Sequence, residues 1–372
     1  MERPIESQRV TPKSGSTRTF PCESCGADLT FNIGIQRLKC DFCGHEKDLL
    51  PSEAEIRERG LKSALRDLRR QTKPAVATES SIQLDCSSCG AKVVFEGAIT
   101  SRDCPYCATP TQRSDVHQAE ERLVVDAVLP FAVDETKAIS EIAGWVRSRW
   151  FAPSVFKKRG ATGKIDGVFL PYFTFDAMTV TDYQGQRGDN YTVTVGSGED
   201  RRTERRTRWS RRSGRFQRFF DDVLCCGASA VEHRMVDALE PWPLPQLRPY
   251  DPAILAGKTT MTYDLELEQV FEQARARMQS ELRDETKRRI GGDRQRIDAL
   301  ESAFSALTFK HLMLPVWILA YRFRERSYRV FVNACTGEVQ GSRPYSWIKI
   351  TLAVLAGLAV VGAGFLLQRS QS

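Results

Sequence analysis

Eight of the eleven cysteines fall into one repeated pattern, which constrains the fold of this chain more than any other feature of its sequence. In each copy, two Cys-x-x-Cys pairs are separated by fourteen intervening residues, and the second copy lies 64 residues after the first at all four positions. The cysteines are Cys22, Cys25, Cys40 and Cys43 in the first copy, and Cys86, Cys89, Cys104 and Cys107 in the second.

Four cysteines at this spacing are typical of a zinc ribbon, because two thiolate pairs supply the closed tetrahedral ligand set that structural zinc prefers. Two disulfide pairs or an iron–sulfur cluster are the alternatives, and the ribbon spacing, found twice, favours zinc. Binding of about 10–16 kcal/mol is enough to fold a module that has almost no core. We therefore predict zinc ribbons at residues 20–48 and 81–112, holding two structural zinc ions in total.

Length and composition leave room for a larger domain behind the ribbons. The chain has 372 residues, of which 41% are hydrophobic and 27% charged, as in an ordinary globular protein. Residues 1–19 are polar, lack the apolar core of a signal peptide, and are predicted to be a disordered lead-in. Without an export signal the cysteines are expected in reducing cytosol, where disulfides are disfavoured. The net charge of +7 is mild and excludes no class of function.

Residues 49–80 form a predicted helical linker between the ribbons. Apolar residues at helical spacing predict a helix from Ser52 to Arg70 that carries many charges. An exposed spacer helix is the plain interpretation, and a helix that binds a partner is the alternative.

Residues 121–345 predict an α+β domain with a mainly antiparallel sheet. A helix capped by Asp134 is expected to reach Trp150, and a second helix from Leu265 to Ile290 ends at a pair of glycines. The strand-like segments do not alternate regularly with helices, which favours α+β over a doubly wound parallel sheet. They are Gly167–Thr181, Asn190–Gly196, Trp209–Leu224, Leu312–Phe323, Ser327–Asn333 and Gly337–Gly341.

The C-terminal end predicts a membrane anchor. Ile350 to Leu367 is an uncharged apolar run of eighteen residues, just long enough as a helix to cross a hydrocarbon core of roughly 30 Å. We therefore predict one transmembrane helix within 347–368. The flanking charges favour a single-pass, tail-anchored protein with the bulk of the chain in the cytoplasm. A buried helix is the alternative.

Nine arginines occur within eighteen residues, accompanied by a single acid, Glu204. With Trp209 and Phe216 interleaved, the cluster suits phosphate contact and base stacking. It equally suits anionic lipid headgroups, and the plain interpretation is a solvated, charged hairpin. The cluster comprises Arg201, Arg202, Arg205, Arg206, Arg208, Arg211, Arg212, Arg215 and Arg218.

Enzyme signatures are not found in the sequence. The triplet Gly257–Thr259 resembles the end of a phosphate-binding loop, but Pro252 stands where that motif needs its first glycine. Neither cysteine quartet leaves the open coordination position that a catalytic zinc needs. We predict no enzyme activity and no small-molecule substrate.

The sequence resembles a bacterial membrane-anchored zinc-ribbon family, often catalogued as "primosomal protein N-prime (replication factor Y), superfamily II helicase". The resemblance extends over the ribbons, the large domain and the C-terminal run, and it implies this architecture without a known reaction. No helicase motor motif accompanies it. The segments that carry it outside the ribbons are Leu129–Phe131, Trp150–Ser154, Gly167–Ala177, Tyr183–Tyr191, Phe220–Leu224, Gly291–Ile297, Thr308–Phe323 and Val332–Ile350.

Two functions are predicted from these features. The first is a non-enzymatic, tail-anchored adaptor that recruits a cytoplasmic protein partner to the membrane. The alternative is a membrane-tethered nucleic-acid-binding protein that uses the ribbons and the arginine cluster.

Overall fold

A computed structural model describes most of the chain and accounts for its large domain as one sheet with packed helices. The described residues are 20–49, 55–70, 82–86, 91–95, 102–104, 106, 110–111, 116–118, 123–150, 165–196, 201–323, 326–343 and 346–370. The predicted lead-in at 1–19 lies outside them, as do parts of the linker and of the second ribbon.

The helices are α1 (Leu61–Arg70), α2 (Glu135–Ser148), α3 (His233–Asp237), α4 (Pro252–Leu255), α5 (Leu267–Ile290) and α6 (Trp347–Ser370), with a 3-10 turn at Leu244–Gln246. The strands are β1 (Leu29–Asn32), β2 (Arg37–Cys40), β3 (Glu46–Lys47), β4 (Arg59–Gly60), β5 (Ile82–Asp85), β6 (Lys92–Phe95), β7 (Arg102–Asp103), β8 (Pro110–Thr111), β9 (Val116–Gln118), β10 (Ala127–Val128), β11 (Asp166–Val195), β12 (Arg202–Cys226), β13 (Arg248–Pro249), β14 (Thr259–Met261), β15 (Arg294–Phe323), β16 (Arg326–Asn333) and β17 (Val339–Gly341).

Three long strands form the centre of the main sheet. β11 pairs antiparallel with β15 along one edge and with β12 along the other. The sheet continues through β16 and β17 beyond β15, while β14 and β6 extend it beside the start of β11. Most pairs are antiparallel, and among the described strands only β10 with β15 and β11 with β14 are parallel.

The three long strands extend past the core to form what we call the arm. It consists of residues 178–195 of β11, 202–219 of β12 and 294–305 of β15. Helix α5 packs on one side of it, because an apolar stripe from Leu267 to Ile290 is buried against the strands. We call the opposite side of the arm the open face. Both neighbours of β11 carry a β-bulge where the arm begins, next to Asp176 and Ala177.

Both predicted helices of the large domain are confirmed. α2 begins after Asp134, whose carboxylate accepts a 2.8 Å hydrogen bond from the backbone N–H of Lys137. The stripe predicted for the long helix is the buried stripe of α5, and Gly291, at φ 68°, ends it. The linker helix is shorter than predicted and begins at Leu61, which is buried in the core with Phe309. α1 is therefore packed against the sheet.

The strand boundaries differ from prediction. Two separate strands were expected at 167–181 and 190–196, but one strand of 30 residues runs through both. The third strand begins at Arg202, so the whole arginine cluster from that residue onward lies in β12.

The predicted membrane helix is overturned. Within the described residues, no helix combines the length and the apolar character needed to cross a membrane. α6 forms over the predicted anchor, and the side chains described in it extend to Gly362. The prediction of one transmembrane tail anchor at 347–368 is wrong on this finding. The fold class that included it and the single-pass membrane localisation are wrong with it.

Candidate metal centre and arginine-rich arm

The first cysteine quartet converges on one point. The sulfur atoms of Cys22 and Cys43 are 3.5 Å apart, as are those of Cys25 and Cys40, and all four lie within 4.8 Å of one another. A tetrahedral ion with zinc–sulfur bonds of about 2.3 Å separates its ligands by about 3.8 Å. These four residues could therefore hold one metal ion.

Two tight backbone turns position the cysteines. Gly26 follows the first pair at φ 76° and donates its N–H to the carbonyl of Cys22, and Gly44 does the same for Cys40 at φ 75°. Positive φ is readily adopted by glycine alone, so a side chain at either position would strain the turn. The β1–β2 hairpin joins the two turns and sets their separation.

The thiol pKa values fit a site that needs a cation. Burial raises the pKa of Cys22. Hydrogen bonds from the backbone N–H groups of Ser24 and Cys25 and from the neighbouring thiols together outweigh burial, and they lower the pKa to about 6. The N–H of His45 lowers the pKa of Cys43, but the Cys22 hydrogen bond, burial and the remaining thiols raise it to about 12. Four adjacent thiolates repel one another, so all four ionise together only beside a positive ion.

The first ribbon is packed into the large domain. Cys22, Cys40 and Phe31 share a buried cluster with residues of the main sheet and of α2. The N–H of Phe31 donates to the carbonyl of Ala256, at 3.1 Å, and the Gln36 amide donates to Phe131, at 2.8 Å. The metal centre is thus a structural part of the core.

The second quartet is only partly described. Cys86 and Cys104 are buried, and Cys86 makes the same knuckle hydrogen bond, to Ala91, that Cys22 makes to Ala27. Cys89 and Cys107 lie outside the described residues. Since only one group of four cysteines converges among the described residues, the predicted count of two zinc ions is not supported.

Eight of the nine arginines of the cluster are divided between the two sides of the arm. Arg201 precedes β12 and the other eight lie in it. Side chains alternate along a strand and cross-strand neighbours share a side. Phe216 is buried beneath α5, so even-numbered β12 residues of the arm lie on the α5 side and odd-numbered ones on the open face. The α5 side thus has Arg202, Arg206, Arg208, Arg212 and Arg218, and the open face has Arg205, Arg211 and Arg215.

Several arginines already have partners. Arg202 and Arg206 pair with Glu204 at 3.1 and 3.3 Å. Arg215 binds Asp182 through two hydrogen bonds of 2.8 Å. Arg218 binds Glu281 and lies 3.7 Å from Glu285, both on α5. The guanidinium of Arg208 stacks 5.4 Å from the ring centre of Tyr191.

Five arginines of the cluster have no salt bridge within the described part of the chain: Arg201, Arg205, Arg208, Arg211 and Arg212. Of the two interleaved aromatic residues, Phe216 is buried and unavailable for stacking, and Trp209 lies on the open face with Arg296 4.3 Å from its ring centre. The predicted stacking surface is therefore reduced to one aromatic residue.

One buried carboxylate near the base of the arm, that of Asp176, was not identified from the sequence. Asp176 is 1% exposed and accepts hydrogen bonds from the N–H of Asp222, at 2.7 Å, and from the hydroxyl of Thr308, at 2.8 Å. Burial raises its pKa. The ammonium of Lys310 lies 2.7 Å from Asp222 and balances the group, which gives it a structural role. An acidic residue inside an otherwise apolar strand was the signal available in the sequence.

Comparison with known proteins gives little further information. No family model matches the chain, and no solved structure matches it. The chain is 22% identical over 363 residues to the uncharacterized protein YdjG of Bacillus subtilis (strain 168), covering 92% of this chain and 94% of that protein. This similarity extends over nearly the full length but carries no functional information, and the family resemblance of the sequence remains a prediction.

Proposed function

We propose that this protein is a non-enzymatic adaptor that binds a macromolecular partner through the arm. The observation that carries the proposal is the open face, which presents arginines and large apolar side chains to solvent on a sheet that reaches beyond the core. Protein interfaces are enriched in arginine, methionine and aromatic residues. The inner half of the opposite side is covered by α5, which ends at Ile290 beside Gly185.

The metal in the first ribbon is proposed to be zinc, bound as a structural ion by Cys22, Cys25, Cys40 and Cys43. Four thiolates with no open coordination position are the usual ligand set of structural zinc. In this role the ion holds β1 and β2 together and leaves the arm as the recognition surface.

The adaptor proposal is tested by capture of bound macromolecules after chemical cross-linking in cells. The full-length chain is compared with a double charge reversal on the open face, Arg205→Glu and Arg211→Glu. We expect the variant to lose specific captured partners, because its surface charge no longer complements them.

Arg212→Glu is the matched control, since Arg212 is equally exposed and unpaired but lies on the α5 side. If the double variant captures the same macromolecules as the wild type, the adaptor proposal fails.

Nucleic-acid binding is the second candidate, supported by the arginine-rich β12 and by Trp209. It predicts an affinity that falls steeply with salt, with a smaller salt dependence after Arg205, Arg206 and Arg208 are replaced by alanine. Filter binding of single-stranded and duplex DNA at several salt concentrations measures both. Undetectable or salt-independent binding would eliminate this candidate.

A further inference from the structure

The covered side of the arm shows how this sheet binds a helix. α5 lies along the three strands, burying apolar residues such as Met278 and Leu282. On the same turns of the helix, Glu281 and Glu285 bind Arg218 of β12. One helix thus contacts both apolar residues and an arginine on that side.

The open face has an apolar inner end. Met178 and Phe219 are directly opposite each other across β11 and β12, with exposed fractions of 36% and 55%. Val180 is the next residue of β11 on this side, and Ala303 lies beside it on β15. These side chains have no hydrogen-bonding groups, so burial against apolar atoms is the interaction that they favour.

The outer end of the open face is basic. Arg205 and Arg211 lie here on β12. On β15, Arg296 lies across β11 from Arg211, and Arg294 lies across β11 from Trp209. None of the four has a salt bridge within the described part of the chain, and Trp209 lies among them. Four arginines without acidic partners at one end of a surface attract negatively charged groups.

The dimensions fit one helix. Three strands about 4.8 Å apart make a surface roughly 10 Å across, close to the diameter of an α-helix with side chains. All three strands run side by side from Phe219 to Trp209, which lies opposite Gly188 and Arg294, and this part is roughly 33 Å long at about 3.3 Å per residue. β11 and β12 alone continue to Arg205, roughly 45 Å from Phe219, and a helix of about 30 residues covers the whole length.

We propose that the open face binds one acidic amphipathic helix of a partner protein, an inference that rests on the proposed adaptor function. The apolar residues of that helix pack on Met178, Val180 and Phe219, and its acidic residues lie beside Arg205 and Arg211. The two sides of the arm then bind helices in the same way, one from this chain and one from the partner.

A polynucleotide fits this surface less well. Met178 and Val180 provide neither a cation for a phosphate nor a ring for a base. Glu301, in the middle of the face, repels phosphates. Arg215, on the same face, is already paired with Asp182 and does not offer a free cation to a phosphate. A helix with an apolar half and an acidic half avoids both conflicts.

The first test is titration of the full-length protein with a labelled synthetic helical peptide of about 30 residues. One half of the peptide has leucines at helical spacing, and the other half has glutamates. Fluorescence anisotropy is expected to show binding that Phe219→Ser and Arg211→Glu each weaken roughly tenfold, while Arg212→Glu leaves it within about twofold. No binding, or equal binding by all three variants, would overturn the inference.

The second test identifies what occupies the surface in cells. A photo-cross-linking amino acid is placed at position 219 and, as a control, at 212. An adduct at 219 only, whose cross-linked segment is an acidic amphipathic helix, is the expected result. An adduct that nuclease destroys, or no adduct specific to 219, would overturn the inference of a helical partner. The adaptor proposal itself fails only if the open-face charge reversal leaves all captured macromolecules unchanged.

Discussion

At the scale of single residues, neighbours decide what each ionisable group does. The four thiols of the first ribbon, which their spacing already groups in the sequence, converge so that they could hold one metal ion. Asp176 lies in a largely apolar part of its strand. Its buried carboxylate is accommodated there because it accepts hydrogen bonds from the N–H of Asp222 and the hydroxyl of Thr308. Its raised pKa shows that burial opposes its charge more than these bonds favour it.

Asp176→Asn and Asp176→Ala are expected to differ in stability. Asparagine accepts from the N–H of Asp222 through its oxygen and donates to the hydroxyl of Thr308, so few bonds are lost. Alanine leaves the Asp222 N–H without its acceptor, which costs about 1–3 kcal/mol of the free energy of unfolding. Urea denaturation at pH 7 measures both. Equal losses for the two variants would contradict the assigned role.

The difference in stability between the wild type and Asp176→Asn is expected to change with pH in a definite direction. The pKa of Asp176 is raised above its ordinary value of 3.8, so the folded protein holds this proton more tightly than the unfolded chain does. As pH rises from 3.8 through the raised value, the wild type therefore loses stability relative to Asp176→Asn. Urea denaturation across this range is expected to show the difference, and a constant difference would refute it.

At the scale of elements, α5 determines which side of the inner part of the arm is covered. Its apolar stripe follows helical periodicity, which local sequence reveals. Its close approach to β11 is made at Gly185, where a Cβ atom would lie 2.6 Å from Ile290 Cδ1 and closer still to the carbonyl oxygen of Arg296. Glycine is required there by crowding from two other elements.

Alanine at Gly185 and at Gly144 is expected to change stability in opposite directions. Gly185→Ala overpacks the contact between α5 and the arm, at a cost of about 1–3 kcal/mol. Gly144 lies inside α2 with nothing within 4 Å of its Cβ position, so Gly144→Ala is expected to stabilise by about 0.5–1 kcal/mol. Urea unfolding of both variants checks this. A neutral Gly185→Ala variant would show that α5 does not approach the strand so closely.

At the scale of the whole molecule, the first ribbon and the large domain share one core. Residues of β1 and β2 pack with Phe131 and Ile142, and β1 is hydrogen-bonded to the loop after α4. The ribbon is therefore no separate module on a linker, and loss of a metal ion held by its four cysteines is expected to affect the domain that supports the arm.

Removal of the metal ion proposed for the first ribbon is expected to lower the unfolding temperature of the whole protein in a single transition. A ligand that binds only the folded state stabilises all of the structure that unfolds with its site. Differential scanning calorimetry with and without a strong chelator measures this. Cys40→Ser is the control, and the chelator is expected to shift it less than the wild type. A separate low-temperature transition, with the main one unmoved, would show that the ribbon unfolds independently.

The sequence by itself determined the features that arise from local spacing. The first four-cysteine group, the Asp134 cap of α2 and the apolar stripe of α5 all depend on residues within a few turns or one hairpin of each other. The structure confirms each of them. Local hydrophobicity also predicted a membrane helix at the C-terminus. That prediction is wrong, because no helix among the described residues is long and apolar enough to cross a membrane.

Only the tertiary structure decided the form of the arm and the division of its arginines. Gly185, Gly188 and the polar residues around them have the composition of a turn, yet they lie within one long strand because β12, β15 and α5 pack closely around them. Which arginines share a side is set by the register between β11 and β12, and a shift of one residue would exchange the two sides. Pairings between residues far apart in the chain fix that register, and no local pattern contains them.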